Sequence, residues 1–413
     1  MLKPFSPNFT FHSAGDKLFF KAARLKCHQK TEAEMAKRKA RIGIIGCGRI
    51  AREGHLPYLK ENPDVELVAA MDINDTFRDK ICDSFGIAEG CRTPEELFDR
   101  GRLDGVLICT PNWVHKDLTL MAAERGAHVF CEKPMAVSVA ECEEMVAACE
   151  KAGVFLMMGM AKRFDAGIAK AKTIIQSGGL GAVSQITTSC LNPPPPRLDS
   201  ALFQNAKKWA SAIGIDIEQQ MGLWRLTDPR TGGGQMLEMG THLLDIMFFL
   251  AGEKPADSSG FIKKNRPDMQ WEDQGSLLIK FPSGMIASAE MNMSATADNI
   301  IGEKGRIYGD KASLSFNLIN GMWFGLPFYH YIPTLLFRYG ALSPLTGIAT
   351  PVPVPANRKI YMYKRQMDYF ADKILGRDTD YFGFGPDFAA FGGDGLAAMR
   401  VIEKAYIASG VGK

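Results

Sequence analysis

The clearest signal in the chain is a set of short apolar runs at 41–47, 65–71, 104–109, 127–131 and 154–158. Runs this short, bounded by turn residues, predict strands buried on both faces of a parallel sheet. The stretches between them take a helical period. Two of these helix starts carry capping boxes, Thr93-Pro94-Glu95-Glu96 and Ser138-Val139-Ala140-Glu141, the first with proline at the first helical position. A further helix is predicted from Trp113, and the helix after Ser138 runs to about Ala152. Strand and helix alternate throughout 41–160, which predicts an α/β unit with a doubly wound parallel sheet.

The pattern changes after residue 160. A helix is predicted over 164–177, an alternating strand over 182–190, and a rigid polyproline connector over 193–196. Residues 232–245 open a long apolar helix that continues to about Leu250. Strands follow at 260–264, 276–281, 285–293, 306–308 and 312–316, separated by turns such as Pro282-Ser283-Gly284, and helices near 359–375 and 395–409 end the chain. This half predicts an α+β unit on a largely antiparallel open sheet. The expected organisation is an N-terminal arm over 1–40, a dinucleotide-binding unit over 41–160, and a substrate-binding and oligomerisation unit over 161–413.

Composition narrows the classes. A chain of 413 residues exceeds one ordinary core. Its 46% apolar and 23% charged content suits a globular enzyme, and no long uninterrupted apolar run predicts a membrane span. The net charge of +3 is uneven: residues 1–40 hold nine Lys and Arg against three Asp and Glu, so the body is mildly acidic and gives no case for nucleic-acid binding. Nine scattered cysteines without a C-x-x-C pair favour buried thiols in a reducing, cytoplasmic setting over disulfides or zinc. Phe5, Phe9, Phe11, Phe19 and Phe20 favour docking of the arm on a neighbouring subunit over free solvation.

The chemistry begins at Gly46-Cys47-Gly48-Arg49-Ile50-Ala51, a G-x-G-x-x-A loop between the first strand and a helix. Gly46 permits the tight turn, Gly48 lets the backbone approach a pyrophosphate, and Ala51 allows close packing of the helix, whose N-terminus faces the phosphates. Asp72 ends the second strand, 21 residues past Ala51, where a carboxylate binds the adenosine ribose. Ile73 and Asn74 follow it and offer no cation to a 2′-phosphate, so NAD is favoured over NADP, with Arg78 and Lys80 the nearest cations.

Cys131-Glu132-Lys133-Pro134 ends a strand at the sheet edge where ligands bind. Alone it would read as a surface lysine beside a turn proline. Pro134 pushes Lys133 toward an extended conformation and so aims its ammonium. On the helix after Gly234, Glu238 and His242 are i, i+4 and Asp245 follows at i+3, so the two acids are predicted to flank and orient the imidazole for acid–base work. No further His or Cys completes a metal set, and no metal is predicted. Hydride transfer needs only a cofactor, orientation and a proton acceptor. Lys133 and His242 would meet across the cleft. A cationic nicotinamide would disfavour the Lys133 ammonium, and which of the two takes the first proton stays open.

As an ordered set these residues resemble the glucose–fructose oxidoreductase/inositol dehydrogenase/rhizopine-catabolism (Gfo/Idh/MocA) family. The matches are the glycine loop, Cys109-Thr110-Pro111-Asn112 with His115, Glu132-Lys133-Pro134, Lys162-Arg163-Phe164, Trp224-Arg225, and Gly232-Gly233-Gly234 followed by Glu238, Gly240, His242 and Asp245. The resemblance implies a Rossmann unit followed by an α+β unit whose sheet often joins subunits, hence a homo-oligomer. It implies that Gly46, Gly48, Arg49, Ile50 and Ala51 form the pyrophosphate loop with Asp72 on the ribose. Thr110, Pro111, Asn112 and His115 would line the cofactor. Glu132 and Lys133 would face the nicotinamide ribose and the reacting hydroxyl, Arg163, Trp224 and Arg225 would lie near nicotinamide and substrate, and His242 would be the acid–base group. Glu238 stands where many family dehydrogenases have Asp. The implied activity is NAD-dependent oxidation of a secondary hydroxyl of a sugar, glycoside or cyclitol. A glycoside 3-dehydrogenase is favoured because the aromatic-rich segment 322–339 would wall a bulky substrate, its other reading being a buried insertion or oligomer contact. The alternatives are a glycosidase working by transient oxidation and elimination, and a non-catalytic sugar-sensing regulator.

Overall fold

The computed structural model describes residues 38–100, 102–192, 197–213, 222–294, 302–318, 339–342, 349–352 and 358–411. The expectations for the N-terminal arm up to residue 37, for the 193–196 connector and for the aromatic segment 322–338 lie outside the described residues.

The first sheet contains β1 (Ala40–Ile45), β2 (Val65–Met71), β3 (Glu89–Cys91), β4 (Gly105–Ile108), β5 (His128–Cys131) and β6 (Leu156–Met158). Its order is β3-β2-β1-β4-β5-β6 and every pairing is parallel. Every residue of β4 is buried, and so are all but one each of β1 and β5, because helices cover both faces. Strand order reverses between β1 and β4. Chains leaving their carboxyl ends therefore diverge and open a crevice there. The three-residue β3 is too short to leave a periodic signal and was not foreseen. The two caps form as expected on their serine and threonine, with Thr93 Oγ1 and Ser138 Oγ accepting from the Glu96 and Glu141 amides. Each glutamate reaches one residue beyond the cap, to the Arg92 and Val137 amides.

The second sheet contains β7 (Val183–Leu191), β8 (Asp257–Lys263), β9 (Gln274–Lys280), β10 (Ile286–Asn292), β11 (Gly302–Gly309), β12 (Ser313–Leu318), β13 (Tyr339–Leu342) and β14 (Ala349–Val352). The order is β14-β13-β12-β11-β7-β10-β9-β8, antiparallel except for the β7/β10 pair. β9 shows why one face is covered: Leu277 and Ile279 are buried while Leu278 between them faces out. The helix Thr241–Ala251, apolar almost all round, lies against β7 and β10 on the covered side. The pattern did not foretell the helix Ala201–Ala212, which buries only Phe203.

The C-terminal helices serve both sheets. Arg358–Ile374 packs on the short turn Ala161–Phe164 and on the helix Leu56–Glu61, while Gly392–Ser409 packs on β8 and on the helix Val139–Ala152. A backbone bond from the Met158 amide to the Ala390 carbonyl (2.8 Å) joins this segment to the end of β6. One buried apolar cluster runs through both units as a result. Among the described residues no helix is long and apolar enough to cross a membrane.

Candidate active site

The carboxyl ends of β1, β2, β4 and β5 carry the first half of the site. Gly46 turns the chain at φ +96°, and a Cβ there would lie 2.7 Å from the Cys109 carbonyl carbon and 2.8 Å from the Thr110 nitrogen. Only glycine satisfies both demands. A Cβ on Gly48 would meet nothing within 4 Å, so open space lies against that backbone. Arg49 and Ile50 follow it into the helical turn that contains buried Ala51. Asp72 pins the loop: one oxygen accepts from the Cys47 amide (2.7 Å) and the other from the Asn74 amide (2.8 Å). Each oxygen keeps lone-pair capacity for a ribose hydroxyl. Arg78 is tied to Asp75 and Asp79 and is not offered to a 2′-phosphate. At the end of β4 the Thr110 hydroxyl is buried without a partner. An open cradle over Gly48, an acid at the end of β2 and an unpaired hydroxyl beside them fit a dinucleotide.

Glu132 and Lys133 follow β5, and the Lys133–Pro134 peptide is cis. Lys133 Nζ donates to the Glu238 carboxylate (2.8 Å) and to the Glu238 carbonyl (3.0 Å). This pair crosses from the first unit to the second, and both side chains are largely out of water. Burial pushes the Glu238 carboxyl up, but the charges of Lys133 and Arg225 outweigh it and hold it below the ordinary range. Arg225 Nε lies 3.4 Å from the other Glu238 oxygen.

His242 is not flanked by two acids as expected. Residues Met236–Gly240 form a π-helical turn, which widens the helix by one residue per turn and upsets the i, i+4 register. Glu238 turns to Lys133 instead, and Asp245 turns to Arg163. His242 Nδ1 is buried with no partner. Burial, then the charges of Lys162 and Lys133, lower its pKa well below the usual value. The imidazole is therefore neutral at pH 7.

Three more expectations change. Arg163 does not face the cleft: it is buried, grips Asp245 through Nε (3.0 Å) and Nη2 (2.7 Å), and donates to the Phe388 and Ala389 carbonyls (both 3.2 Å). Its fork is used up in holding the C-terminal segment to the His242 helix. His115 does not present its ring to a cofactor either. Its Nε2 sits 2.9 Å from the Thr110 carbonyl and its Nδ1 3.0 Å from the Pro134 carbonyl, so it clamps two loops from behind. Asn112, just after Pro111, donates to the Thr231 carbonyl (2.7 Å) and ties the β4 loop to the Gly232 turn. Trp224 and Arg225 lie together, with the Arg225 guanidinium 4.3 Å from the Trp224 ring centre. Trp113 meets Trp224 edge to face at 5.4 Å, and Arg230 covers Trp113 at 4.4 Å.

Sequence reasoning missed Glu303, Trp113, Arg230 and His55. Glu303, on β11 and fully buried, pairs with Lys162. It carries no local signal, since an acid in a strand is ordinarily exposed. His55 could have been noticed as a histidine among apolar positions in the helix that packs against the sheet. Among the described residues no cluster of three His, Cys, Asp or Glu suits a metal.

Two family models match the chain: "Oxidoreductase family, NAD-binding Rossmann fold" over residues 40–160 and "GFO/IDH/MocA C-terminal domain" over residues 168–315. The chain belongs to the Gfo/Idh/MocA family. It is an NAD-binding oxidoreductase of the kind that acts on CH–OH groups. Myo-inositol 2-dehydrogenase of Thermotoga maritima is 27% identical over 279 residues, covering 65% of this chain and 75% of that one. D-glucoside 3-dehydrogenase of Escherichia coli is 26% identical over 221 residues, 54% of this chain and 56% of that one. The crystal structure of aldose-aldose oxidoreductase from Caulobacter crescentus complexed with glycerol superposes with a TM-score of 0.68 at 27% identity, covering 90% and 98% of the two chains.

Two outcomes follow for stability. Arg163→Lys keeps the charge but loses the fork, and is expected to cost about 3 kcal/mol in urea unfolding, close to Arg163→Met. Gly46→Ala, with a positive φ and a backbone collision, is expected to cost about 2 kcal/mol or more by the same measurement.

Proposed function

We propose that the protein oxidises a secondary hydroxyl of a sugar, glycoside or cyclitol to the ketone. The observation that carries this reading is the Lys133–Glu238 pair, which joins the end of β5 to the turn leading into the His242 helix. When bound, NAD supplies the hydride acceptor. Lys133, aimed by its two bonds to Glu238, donates a hydrogen bond to the reacting oxygen and stabilises the charge that develops there. His242 takes the hydroxyl proton. With Nδ1 buried, the Nε2 edge of the ring is left to meet substrate. Asp72, Gly48 and the Thr110 hydroxyl hold the dinucleotide, and Glu238 and Arg225 hold neighbouring substrate hydroxyls.

Within that class we favour a glycoside, oxidised at carbon 3. Trp113 and Trp224, layered with Arg230 and Arg225, begin 3.4 Å from Glu238 through the Arg225 guanidinium. Such rings pack well on the apolar face of a second sugar or an aglycone. The likeness to the E. coli glucoside dehydrogenase supports the same choice. The outer face of β8–β10 exposes Phe261, Leu278 and Ile286, which supports self-association through this sheet.

The test is NADH formation by purified enzyme across matched sugars, cyclitols and glycosides. No reduction with any of them would sink the reading. Lys133→Ala and His242→Ala are each expected to lower kcat by about 10²–10⁴-fold. The sign of the pH dependence also follows. A histidine base with an ordinary pKa loses activity as pH falls through about 6.5. With the His242 pKa lowered, the wild-type kcat/KM for the sugar is expected to hold through that region and fall only at lower pH. Trp113→Ala is expected to raise KM about tenfold for an aryl glycoside, equivalent to about 1.4 kcal/mol, and much less for the free sugar.

A further inference from the structure

His55 reaches across from the glycine-loop turn to Glu132, the residue before Lys133. It closes the π-helical turn Ala51–His55 that follows the glycine loop, and it is fully buried. Its Nε2 lies 2.7 Å from Glu132 Oε1. The other Glu132 oxygen accepts the Lys133 amide at 3.2 Å. Room for this carboxylate exists because residue 159 is glycine: a Cβ there would lie 2.9 Å from the Glu132 carboxyl carbon. Phe130 and Tyr363 hold the imidazole edge-on, with ring centres 5.0 and 5.8 Å away. His55 Nδ1 is buried with no partner. Since only Nε2 faces a carboxylate, Nε2 carries the ring proton.

We propose that His55 is a positioning residue for the reaction. It locks the Glu132 carboxylate, and through it the Lys133 backbone, to the turn that leaves the dinucleotide loop. Cofactor cradle and catalytic ammonium then share one rigid reference. A buried polar pair of this kind gives little net stability, because desolvation offsets the attraction, so its contribution is geometric. A small misplacement of a catalytic group costs rate well beyond its cost in stability.

The pair also sets the charge beside Lys133. Glu132 is faced by His55, by the Lys133 ammonium, by His115, by Tyr363 and by the thiols of Cys109 and Cys131. Burial pushes its carboxyl up, and the hydrogen bond from His55 with the charge of Lys133 outweighs that, holding it below its ordinary range. Loss of His55 removes the donor and lets the carboxyl rise, so protonation would intrude at higher pH.

The proposal rests on the oxidoreductase reading for its kinetic consequences. The test compares His55→Ala, His55→Asn and His55→Gln in the full chain with NAD and the best substrate. A glutamine amide reaches about as far as the imidazole Nε2, and an asparagine amide stops short. The expected result is a kcat lowered about thirtyfold or more in the Ala and Asn variants and within about threefold of wild type in the Gln variant. The acid limb of the kcat profile should move up in Ala and Asn and return in Gln. An Asn variant as active as wild type, or a Gln variant no better than Asn with an unmoved acid limb, overturns the proposal. Nitrogen-15 NMR of the histidine-labelled apoprotein gives a readout that needs no turnover. The resonance lost in His55→Gln should show the Nε2–H tautomer, and an Nδ1–H tautomer overturns the contact even if wild type reduces no NAD with any sugar. In that last event the functional reading fails separately.

Discussion

The ion pair between Lys133 and Glu238 joins two units that the chain builds separately. Lys133 stands at the end of a parallel strand and Glu238 at the start of a helix 105 residues later, and their charged atoms meet at 2.8 Å. A pair largely removed from water tolerates little displacement, because each partner left alone would be an uncompensated buried charge. The separation of the dinucleotide loop and the His242 helix is thereby set at the place proposed for the chemistry. Asn112, bonded to the Thr231 carbonyl, repeats the link between the units, while the buried pairs Arg163–Asp245 and Lys162–Glu303 brace the second unit beneath it. Lys133 and Asn112 are thus held by partners from the opposite unit, and the C-terminal segment is fastened through the Arg163 bonds to Phe388 and Ala389.

Two widened helical turns shape the site, one on each side. Ala51–His55 follows the glycine loop, and Met236–Gly240 precedes the His242 helix. Each accommodates an extra residue in the turn and re-aims a polar side chain, His55 toward Glu132 in the first case and Glu238 toward Lys133 in the second. In the second case the histidine gives up its acidic neighbours. What remains around it is burial and positive charge, and both favour a neutral imidazole over an imidazolium. In the proposed reaction this favours proton acceptance by His242 and hydrogen-bond donation by Lys133, a division that the two residue types alone leave open.

Much of this was legible in the residues themselves. The parallel unit announces itself through apolar runs bounded by turn residues, since strands buried on both faces need no alternation. The glycine loop and Asp72 sit at a spacing that only one supersecondary unit explains, and the structure adds the backbone amide bonds by which Asp72 holds that loop. The failures share a cause. Helical spacing placed Glu238 and His242 on one face, and a π-helical turn, which leaves no periodic trace, moved them apart. Arg163 matches a family motif, but its partner Asp245 is 82 residues away and its carbonyl acceptors lie near the far end of the chain. His55 and Glu132, 77 residues apart, meet only after the sheet has formed. Local pattern fixes which face a residue occupies. It carries no information on which distant charge will share that face.

In the proposed reaction, hydrogen bound to a substrate carbon passes to the nicotinamide while Lys133 and His242 manage the hydroxyl. The most direct measurement is mass spectrometry of the dinucleotide after a single turnover on a glycoside deuterated at the oxidised carbon. One deuterium is expected in the reduced dinucleotide, with a ketone lacking it. Deuterium retained in the sugar, or lost to water with the dinucleotide unlabelled, would rule out direct hydride transfer.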